Sequence, residues 1–303
     1  MNSLFVLDNW KIHKKRWYVI FIFIILLFLL VYFFMYKTIN IKIINRKNIN
    51  KYNNDFKLLE KRITNWYPLG DNDFFKIDHG PNYFSFFNRL GSIKVATLFD
   101  KNNLIGNLIG VLRKIPLDNK YFKTWYLCDL KIDKKYRGDR LSFHIFTKIF
   151  KYLSICNSFY GISMDSQNGN HMVKIVSKIP FITIKSKKLL IYKLSYNDMI
   201  RVYPIIEKHR GPLSFLSLYK KKDLILKSNN KPMKLLHTQW SPTGEYTGLY
   251  KPIKNFEHMF CSPSNDPMSK ELERIGITTN VTATIIYYNM NNINWNFILT
   301  SDI

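Results

Sequence analysis

The chain of 303 residues is poor in cysteine, glycine and proline. Its three cysteines, Cys128, Cys156 and Cys261, are too few and too far apart to form a disulfide framework. Twelve glycines and eleven prolines exclude a collagen-like or low-complexity chain. A hydrophobic content of 47%, with 16% aromatic residues, excludes a wholly disordered protein and provides enough apolar volume for a packed core.

Acidic residues are also scarce, since 21 Asp and Glu stand against 46 Lys and Arg and give a formal net charge of +25. Only 10 of the basic residues are Arg. One interpretation is attraction to anionic lipid, nucleic acid or a polyanionic cofactor. The other is a solvated lysine surface produced by AT-rich codon usage, which the abundance of Asn, Ile, Tyr and Phe favours. Because no basic stripe is interleaved with aromatic residues that stack on bases, we expect no specific nucleic-acid partner.

Long apolar runs are absent except for one, which reads WYVIFIFIILLFLLVYFFMY at residues 17–36. Its 20 uncharged residues match the ~30 Å of a bilayer core at 1.5 Å per residue. Trp17, Tyr18 and Tyr36 stand at its ends, where amphipathic rings prefer the membrane interface. The run is too long for the ~7–15-residue apolar core of a cleaved signal peptide. The pattern therefore predicts one membrane-spanning helix.

The composition divides the chain into four parts. Lysine and asparagine dominate the second part, which we interpret as a polar tether with a short helix near residues 56–63. The third and fourth parts alternate strand-like and helix-like patterns, so we expect an α/β (α+β) fold with a C-terminal α/β extension. The predicted parts are a basic flank with the membrane helix at 1–36, the tether at 37–70, the main domain at 71–195 and the extension at 196–303.

Strand and helix patterns are strongest in the main domain. Residues 93–99 and 104–112 predict a hairpin, after which Pro116 is expected to break the chain. A third strand at 124–132, an amphipathic helix from Leu141 and a strand at 159–164 then imply a parallel crossover. Weaker patterns predict a helix at 169–178 and a strand at 189–194, and in the extension helices at 196–208 and 269–275 and strands at 234–239, 281–288 and 295–300.

A basic loop joins the third strand to the amphipathic helix. A tight loop that enters a helix points free backbone N–H groups and the positive end of the helix dipole outward, an arrangement that holds phosphate. Arg137 and Arg140 add charged donors there. The alternative is an ordinary strand-to-helix loop with a basic surface, and these residues alone leave both interpretations open.

This stretch resembles the acyl-CoA-binding motif of the GNAT acetyltransferase superfamily, which carries Arg/Gln-x-x-Gly-x-Gly/Ala after an apolar strand. The strand and its exit read DLKIDKKYRG at residues 129–138, and Arg137 fits the first position of the motif. Arg140 and Ser142 stand where the family carries Gly and Gly or Ala. Further along, Asn168-Gly169-Asn170 resembles the family's Asn-rich helix start, and residues 178–181 (KIPF) resemble its Lys-x-Gly-Phe end with Pro180 in place of Gly.

The resemblance covers about residues 74–195 and implies a mixed sheet in which two parallel strands splay apart. The pantetheine arm of acetyl-CoA would lie in the gap, with acetyl-CoA as co-substrate and no metal. The implied cofactor-binding residues are Leu130, Lys131 and Ile132 on the strand, Arg137, Gly138, Asp139, Arg140, Leu141 and Ser142 in the loop and helix start, and Asn168 and Asn170 further along.

The resemblance also implies direct attack of an amine on the thioester, which is aided by a general base because amines are protonated near neutral pH. Asp129 is the candidate base, directly or through water, although a structural strand carboxylate is the alternative. Val176 stands where the family carries its frequent Tyr acid, so Ser163, Tyr160 or water would take that role.

The other chemically reactive residues give weaker indications of a catalytic or metal site. Cys128 has no histidine paired with it in sequence, so a nucleophilic role is disfavoured. His144 lies among apolar residues of the predicted helix and is more typical of a core or rim position. His258 and Cys261 are three residues apart and would share a face of a helix, but a lone pair is not a zinc site.

The sequence therefore predicts a single-pass membrane protein that transfers an acetyl group from acetyl-CoA to an unidentified amine. Two alternatives remain: an inactive GNAT-like binding module at a membrane, and a basic tethered protein that binds anionic lipid or nucleic acid. Acetyl-CoA is mainly cytosolic, which favours a cytosolic globular part. The dense basic residues before the span favour a cytoplasmic N-terminus instead, so the orientation stays open.

Overall fold

A computed structural model describes most of the chain after residue 38. The described residues are 23–27, 39–63, 66–69, 73–117, 120–138, 140–150, 156–166, 169–179, 182–241 and 243–303. The predicted membrane segment lies outside them except for residues 23–27, which are helical with exposed apolar side chains. Within these ranges no helix has the length and apolar character needed to cross a bilayer. The membrane span thus remains a prediction.

Ten strands form one mixed sheet in the order β1-β4-β5-β6-β7-β13-β8-β12-β11-β9, and three more form a small sheet in the order β10-β3-β2. The strands are β1 (Ile39–Asn45), β2 (Tyr67–Pro68), β3 (Phe74–Asp78), β4 (Ser92–Asp100), β5 (Asn103–Leu117), β6 (Lys120–Ile132), β7 (Phe159–Met164), β8 (Lys185–Leu194), β9 (Leu213–Leu216), β10 (Asp223–Leu226), β11 (Leu235–Trp240), β12 (Glu257–Pro263) and β13 (Thr282–Tyr288). The helices are α1 (Asn53–Arg62), α2 (Ser85–Leu90), α3 (Leu141–Phe150), α4 (His171–Val176), α5 (Tyr196–Arg210) and α6 (Pro267–Arg274).

The predicted hairpin and third strand form the antiparallel meander β4–β5–β6. The expected break at Pro116 is wrong, because β5 runs on to Leu117 and Pro116 pairs with Tyr121. Proline fits an extended backbone, and near the end of a strand the missing N–H removes little of the ladder. The hairpin between β5 and β6 is therefore longer than the sequence pattern indicates.

Helix α3 connects β6 to β7, and these two strands are parallel, as the crossover pattern predicts. Its apolar residues recur at helical spacing, and Leu141, Ile145 and Ile149 are almost fully buried. They pack with Trp125 and Leu108 on one face of the sheet. This packing fixes the start of α3 beside the end of β6.

Residues 39–63, assigned above to a polar tether, are part of the folded domain. Strand β1 pairs antiparallel with β4 along its whole length. Helix α1 buries Phe56 and Leu59 completely on the opposite face from α3. The tether prediction fails here because a few apolar residues at strand and helix spacing are hidden among Lys and Asn, and these few are enough when a sheet edge is available.

The large sheet continues across the predicted boundary at residue 195. Strand β13 lies between β7 and β8, and β12, β11 and β9 extend the sheet beyond β8. Strands β11 and β12 are a second parallel pair, joined over Leu235–His237 and Glu257–Met259 only. His258 and Cys261 lie on β12 rather than on the helix considered above.

The strand predicted at 295–300 is wrong, because two 3-10 turns, Trp295–Phe297 and Thr300–Asp302, occupy this segment. Residues 295–302 are almost fully buried against β11 and β12, apart from Asn296. Thr300 Oγ1 donates to the Met259 carbonyl of β12, and Gln239 Nε2 of β11 donates to Ser301 Oγ. The turns thus contact both strands of the second parallel pair. The segment has the apolar composition of a strand but not its conformation.

Candidate active site

Strands β6 and β7 pair over only part of their length. The ladder holds two pairs, Trp125–Phe159 and Tyr126–Tyr160, and within the described strands no later residues of the two are in register. Strand β6 nevertheless runs on to Ile132. The two strands therefore separate toward their C-terminal ends and leave an opening beside β6, which is the arrangement that a splayed parallel pair requires.

Gly161 marks the last close approach of the two strands. A Cβ atom built on Gly161 would lie 2.9 Å from the Leu127 carbonyl oxygen, closer than real Cβ atoms come to a backbone oxygen. Only glycine lets the strands touch at this point. The opening thus begins immediately after a tight contact rather than along a loosely packed edge.

A β-bulge lies on β6 where the opening begins. Cys128 pairs with Ile109 and Lys131 pairs with Asn107, so two residues of β6, Asp129 and Leu130, face a single residue of β5. Asp129 has a φ of 52°, a left-handed conformation that a non-glycine residue adopts only when its surroundings hold it there. Asn107 Nδ2 donates to the Asp129 carbonyl oxygen at 2.5 Å and fixes the bulge from the side of β5.

The Asp129 carboxylate belongs to a buried polar network. Its Oδ2 accepts from the Tyr83 hydroxyl at 2.5 Å and from Asn107 Nδ2 at 3.1 Å, and its Oδ1 lies 2.7 Å from Lys131 Nζ. Lys131 Nζ also donates to the Tyr83 hydroxyl at 2.6 Å and to Glu60 Oε1 at 2.9 Å. All three protons of the ammonium group therefore have acceptors, and both oxygens of Asp129 are occupied.

Helix α1 and the segment before α2 complete this network. Glu60 Oε1 lies 2.6 Å from His79 Nδ1, and the His79 ring lies 4.5 Å from the Tyr83 ring, centroid to centroid. Burial raises the pKa of Glu60, but the hydrogen bond and charge of His79 and the charge of Lys131 outweigh it and hold the pKa at about 2. Glu60 is therefore a carboxylate at all physiological pH values.

Tyr83 and Lys131 of the network are each held in one protonation state. Burial raises the pKa of Tyr83 well above its ordinary value, and the nearby charges of Asp129 and Glu60 raise it further. Burial alone would lower the pKa of Lys131, but the carboxylates of Asp129 and Glu60 outweigh burial and raise it. Tyr83 thus stays a neutral phenol and Lys131 an ammonium ion near neutral pH.

The loop after β6 carries the predicted phosphate-binding residues. Arg137, Gly138 and Arg140 are exposed, and Asp139 lies outside the described residues. Arg137 Nε donates to the Ile132 carbonyl at 3.1 Å, which ties the loop to the end of β6. The Arg140 carbonyl accepts from the backbone N–H groups of Phe143 and His144, so Arg140 stands at the start of α3.

The backbone of this loop takes glycine-like conformations. Gly138 has a φ of 106°, and no atom lies within 4 Å of a Cβ built on it. Arg140 has a φ of 53°, although it carries a side chain. Arg140 therefore adopts, at a cost of about 1 kcal/mol, a left-handed conformation that favours glycine.

Asn170 lies at the end of β7, but its side chain is already engaged. Its Oδ1 accepts from the N–H groups of Met172 and Val173 at the start of α4, and its Nδ2 donates to the Ser163 carbonyl and to Asp165. The structure thus assigns it a helix cap rather than a free donor. Asn168, the other predicted cofactor residue of this segment, lies outside the described residues.

The remaining predicted cofactor-binding residues lie at the end of β6 and at the start of α3. The side chains of Leu130 and Ile132 pack toward α3, on the opposite face from Lys131. Leu141 is buried in the first turn of α3, and Ser142 follows it with partial exposure. The backbone from Leu130 to Ile132 forms one side of the opening, whereas the Lys131 side chain serves the buried network.

The substitutes considered for the missing acid differ in position. Val176 is buried in the core beside α3. Tyr160 is fully buried, and its hydroxyl accepts from Arg113 at 2.9 Å. Ser163 pairs with Thr284 in the ladder between β7 and β13. Tyr83, which the sequence did not single out, has the hydroxyl that contacts the bulge.

Sequence reasoning missed Glu60, His79 and Tyr83, because they lie in segments assigned to the tether or to the start of the domain. No motif marks them, and their spacing carries no periodic signal. Cys128 lies beside the bulge, where burial, followed by the charge of Asp129, raises the pKa of its thiol and disfavours a nucleophilic role. Among the described residues no group of three His, Cys, Asp or Glu side chains is placed to hold a metal ion.

Comparisons with known proteins give distant similarities. No protein-family model matches the chain. An uncharacterised protein of Acanthamoeba polyphaga mimivirus is 27% identical over 235 residues, which cover 73% of this chain and 68% of that protein. The chain is similar to Arabidopsis thaliana NAA60 in complex with a bisubstrate analogue, with 15% identity and a TM-score of 0.35 over 50% of this chain and 87% of that one. It is also similar to Arabidopsis thaliana Naa50 in complex with a bisubstrate analogue, with 12% identity and a TM-score of 0.32 over 52% and 88%. Identities and TM-scores this low decide nothing about activity, so a functional assignment depends on the geometry of the site.

Proposed function

We propose that the protein is a GNAT-like acyltransferase that moves an acetyl group from acetyl-CoA to an amine. The observation that carries the proposal is the partial pairing of β6 and β7, which ends at Tyr126 and Tyr160 and leaves β6 unpaired on that side. An unpaired strand edge offers N–H and C=O groups that an extended amide-containing arm can bind. The pantetheine arm of acetyl-CoA has that chemistry.

The loop at the start of α3 would hold the pyrophosphate. Arg137 and Arg140 are exposed there and carry charges that no described carboxylate pairs within salt-bridge distance. The left-handed backbone at Gly138 and Arg140 turns the chain sharply into the helix start. Backbone N–H groups and the helix dipole would then complement the negative charge.

The transfer would occur beside the bulge. The amine nitrogen attacks the thioester carbonyl carbon, the C–S bond breaks, and the CoA thiolate leaves and takes up a proton. Asp129 would accept the proton of the attacking amine, directly or through water. Because Tyr83, Asn107 and Lys131 already occupy both its oxygens, accepting this proton requires that one of these donors moves.

Calorimetric titration of the full-length protein with acetyl-CoA, in mild detergent, tests the binding step. We expect saturable binding that weakens in Arg137→Ala and Arg140→Ala, while Arg274→Ala, which removes one exposed positive charge on α6, leaves it unchanged. Release of free CoA thiol in the presence of a mixture of amines then tests transfer. Absence of acetyl-CoA binding by the wild-type protein would remove the acyltransferase proposal.

The occupied state of Asp129 favours a second candidate function, a GNAT-like binding module without activity. Val176, in place of the family's tyrosine acid, favours the same alternative. This module would bind acetyl-CoA with the same dependence on Arg137 and release no thiol with any amine. The thiol-release assay above therefore separates the enzyme from the inactive module.

We further propose that residues 17–36 anchor the protein in a membrane. The five described residues of this segment, 23–27, are helical and expose large apolar side chains. Full-length protein is expected to float with neutral phosphatidylcholine vesicles in 1 M salt, whereas a variant without residues 17–36 is not. Binding that needs anionic lipid and disappears in salt would instead indicate the basic tethered protein considered above.

A further inference from the structure

Two cationic side chains, those of Lys222 and Arg89, lie near the aromatic ring of Phe86. Lys222 Nζ lies 4.2 Å from the centroid of the Phe86 ring, and Arg89 Cζ lies 5.5 Å from it. Phe86 belongs to α2, three residues from Tyr83, and is itself buried. Two positive charges therefore lie close to one buried ring, which is three residues along the chain from Tyr83 of the buried network.

Lys222 is the third lysine of a run, and only this one is buried. Lys220 and Lys221 are exposed in the turn before β10, whereas Lys222 is 8% exposed. No carboxylate among the described residues lies within salt-bridge distance of its ammonium group. A solvated lysine surface does not account for a side chain turned inward from an exposed turn, because burying an unpaired charge is costly.

Charged neighbours surround Lys222 without neutralising it. Burial lowers the pKa of Lys222 to about 8; Cys128 and Asp129 of β6 and Asp302 oppose this shift, and Arg89 adds to it. His237 of β11 also faces it, and burial, followed by the charge of Lys222, lowers the pKa of that imidazole to about 3. The surrounding groups thus do not fully neutralise the positive charge of Lys222.

Arg89 has a buried donor without a partner among the described residues. Its two terminal nitrogens donate to Glu245 and to the Ser301 carbonyl, and the second also lies 3.5 Å from Asp302. Its Nε is buried and has no hydrogen-bond partner in the described structure. A buried guanidinium N–H without an acceptor is costly, so this arginine keeps a positive charge that its surroundings do not fully satisfy.

We propose that Lys222, with the charge of Arg89 near the same ring, forms an anion subsite that binds a carboxylate on the acceptor amine. The inference deepens the proposed function and rests on it, since it names the acceptor as an amine that also carries an acidic group. Glu245 and Asp302 together neutralise Arg89 and Arg113, so the surplus is about the one positive charge of Lys222, which matches a carboxylate better than a doubly charged phosphate. The carboxylate is the side chain of an acidic amino acid, which is either a small molecule or the first residue of a peptide.

The subsite lies on the face of the sheet from which an acceptor reaches the bulge. Lys222 is near enough to Cys128 and Asp129 to interact with them electrostatically. The side chains of α3 pack on the other face of the sheet. An acceptor held by its carboxylate near Phe86 would thus have its amine directed toward the opening, where the thioester would lie.

Binding of acetylated products tests the subsite without turnover. The probes are N-acetylglutamate α-amide and an acetylated tetrapeptide beginning with Glu, each compared with its Gln counterpart, on full-length protein in mild detergent. For one or both pairs we expect the Glu compound to bind more tightly, by roughly tenfold to a hundredfold for one charge-assisted pair. The pair that shows the difference identifies the source as small molecule or peptide.

Three variants isolate Lys222. Lys222→Met should abolish the preference for Glu over Gln, and Lys222→Arg should retain most of it. Lys221→Met removes the same formal charge from the exposed neighbour and should not change the preference. If Lys222→Met does not fold, Lys222→Gln serves in its place, and melting temperatures verify that the variants are folded.

Proton uptake gives an independent signature. A bound carboxylate raises the pKa of Lys222 back toward its ordinary value, so binding at pH 8 should take up as much as about half a proton. Titrations in two buffers of different ionisation enthalpy measure this uptake, which Lys222→Met should lose. The inference is overturned if the Glu and Gln products bind equally or if neither binds. It is also overturned if Lys222→Met keeps the preference for Glu. Failure to bind acetyl-CoA overturns the proposed function instead, and the two results are read separately.

Discussion

Replacement of Glu60 by Gln tests whether the buried network stabilises the fold as its geometry indicates. Glu60 accepts from Lys131 and lies 2.6 Å from His79 Nδ1, and its pKa in the folded protein is held at about 2 instead of 4.5. The difference corresponds to roughly 3 kcal/mol of folding free energy. Because the folded pKa is depressed, this stabilisation is complete above pH 4.5 and is lost as the pH falls toward 2.

The assay is urea denaturation followed by tryptophan fluorescence, at a series of pH values from 7 to 2.5. Glu60→Gln is expected to lower the free energy of unfolding by as much as about 3 kcal/mol at pH 7. It should also flatten the loss of stability between pH 4.5 and 2.5, since the group that titrates there has been removed. At the acid end the variant and the wild type should converge.

Glu273→Gln is the matched control, because Glu273 is exposed on α6 and its removal should leave the acid profile unchanged. If Glu60→Gln loses stability in acid as steeply as the wild type, the network does not bind its carboxylate in the way described. Equal stability of the two proteins at pH 7 would lead to the same conclusion.

Four further variants test the rest of the site. Gly161→Ala places a methyl group against the Leu127 carbonyl, so we expect acetyl-CoA binding to weaken in calorimetry while α3 stays folded; unchanged affinity would contradict the tight contact. Ile145→Ala should lower the free energy of unfolding by about 2–5 kcal/mol in urea denaturation, since Ile145 is fully buried. Asp129→Asn should lower the rate of thiol release by about 10²–10⁴-fold if Asp129 is the base. A decrease in this rate of less than tenfold would indicate that Asp129 only positions other groups. Arg140→Gly should raise the free energy of unfolding by about 1 kcal/mol, because glycine adopts the left-handed conformation without strain. Acetyl-CoA binding should weaken because the positive charge is lost. An unchanged free energy of unfolding would contradict the backbone strain.

The parts of the fold that the sequence predicted well are those where one physical signal dominates. Strand β7 begins and ends where its apolar pattern does, and α3 begins at Leu141, where residues of one face recur at helical spacing. Local periodicity is sufficient for such elements because burial of one face decides both the conformation and the packing.

Other parts depend on contacts between distant residues, which local patterns do not contain. Strand β1 carries Ile at alternate positions, but Lys and Asn surround it in the sequence, and it is ordered by its pairing with β4, about fifty residues away. The segment 295–302 has the apolar composition of a strand, but it packs against β11 and β12 as two turns. In both cases the neighbour in space, and not the residue type, decides the conformation.

The candidate site divides in the same way. The family resemblance points to Asp129 on the strand and Arg137 in the loop; both lie near the end of β6, and their roles stay predictions. Tyr83, Glu60 and Lys222 were missed because they come from three segments that meet only after the sheet has formed. A functional group assembled from distant segments leaves no spacing in the sequence to detect.

The buried pair of Arg113 and Asp302 has a consequence for how the protein is made. Arg113 Nη2 lies 2.9 Å from Asp302 Oδ2, and the two residues are 189 positions apart in the chain. During synthesis the central strands emerge long before the carboxylate that neutralises this arginine exists, and a buried charge without its partner is strongly unfavourable. The half of the sheet that carries the bulge therefore reaches its final form only after Asp302 has been translated, and nascent chains arrested before that residue should expose β5 to chaperones and proteases.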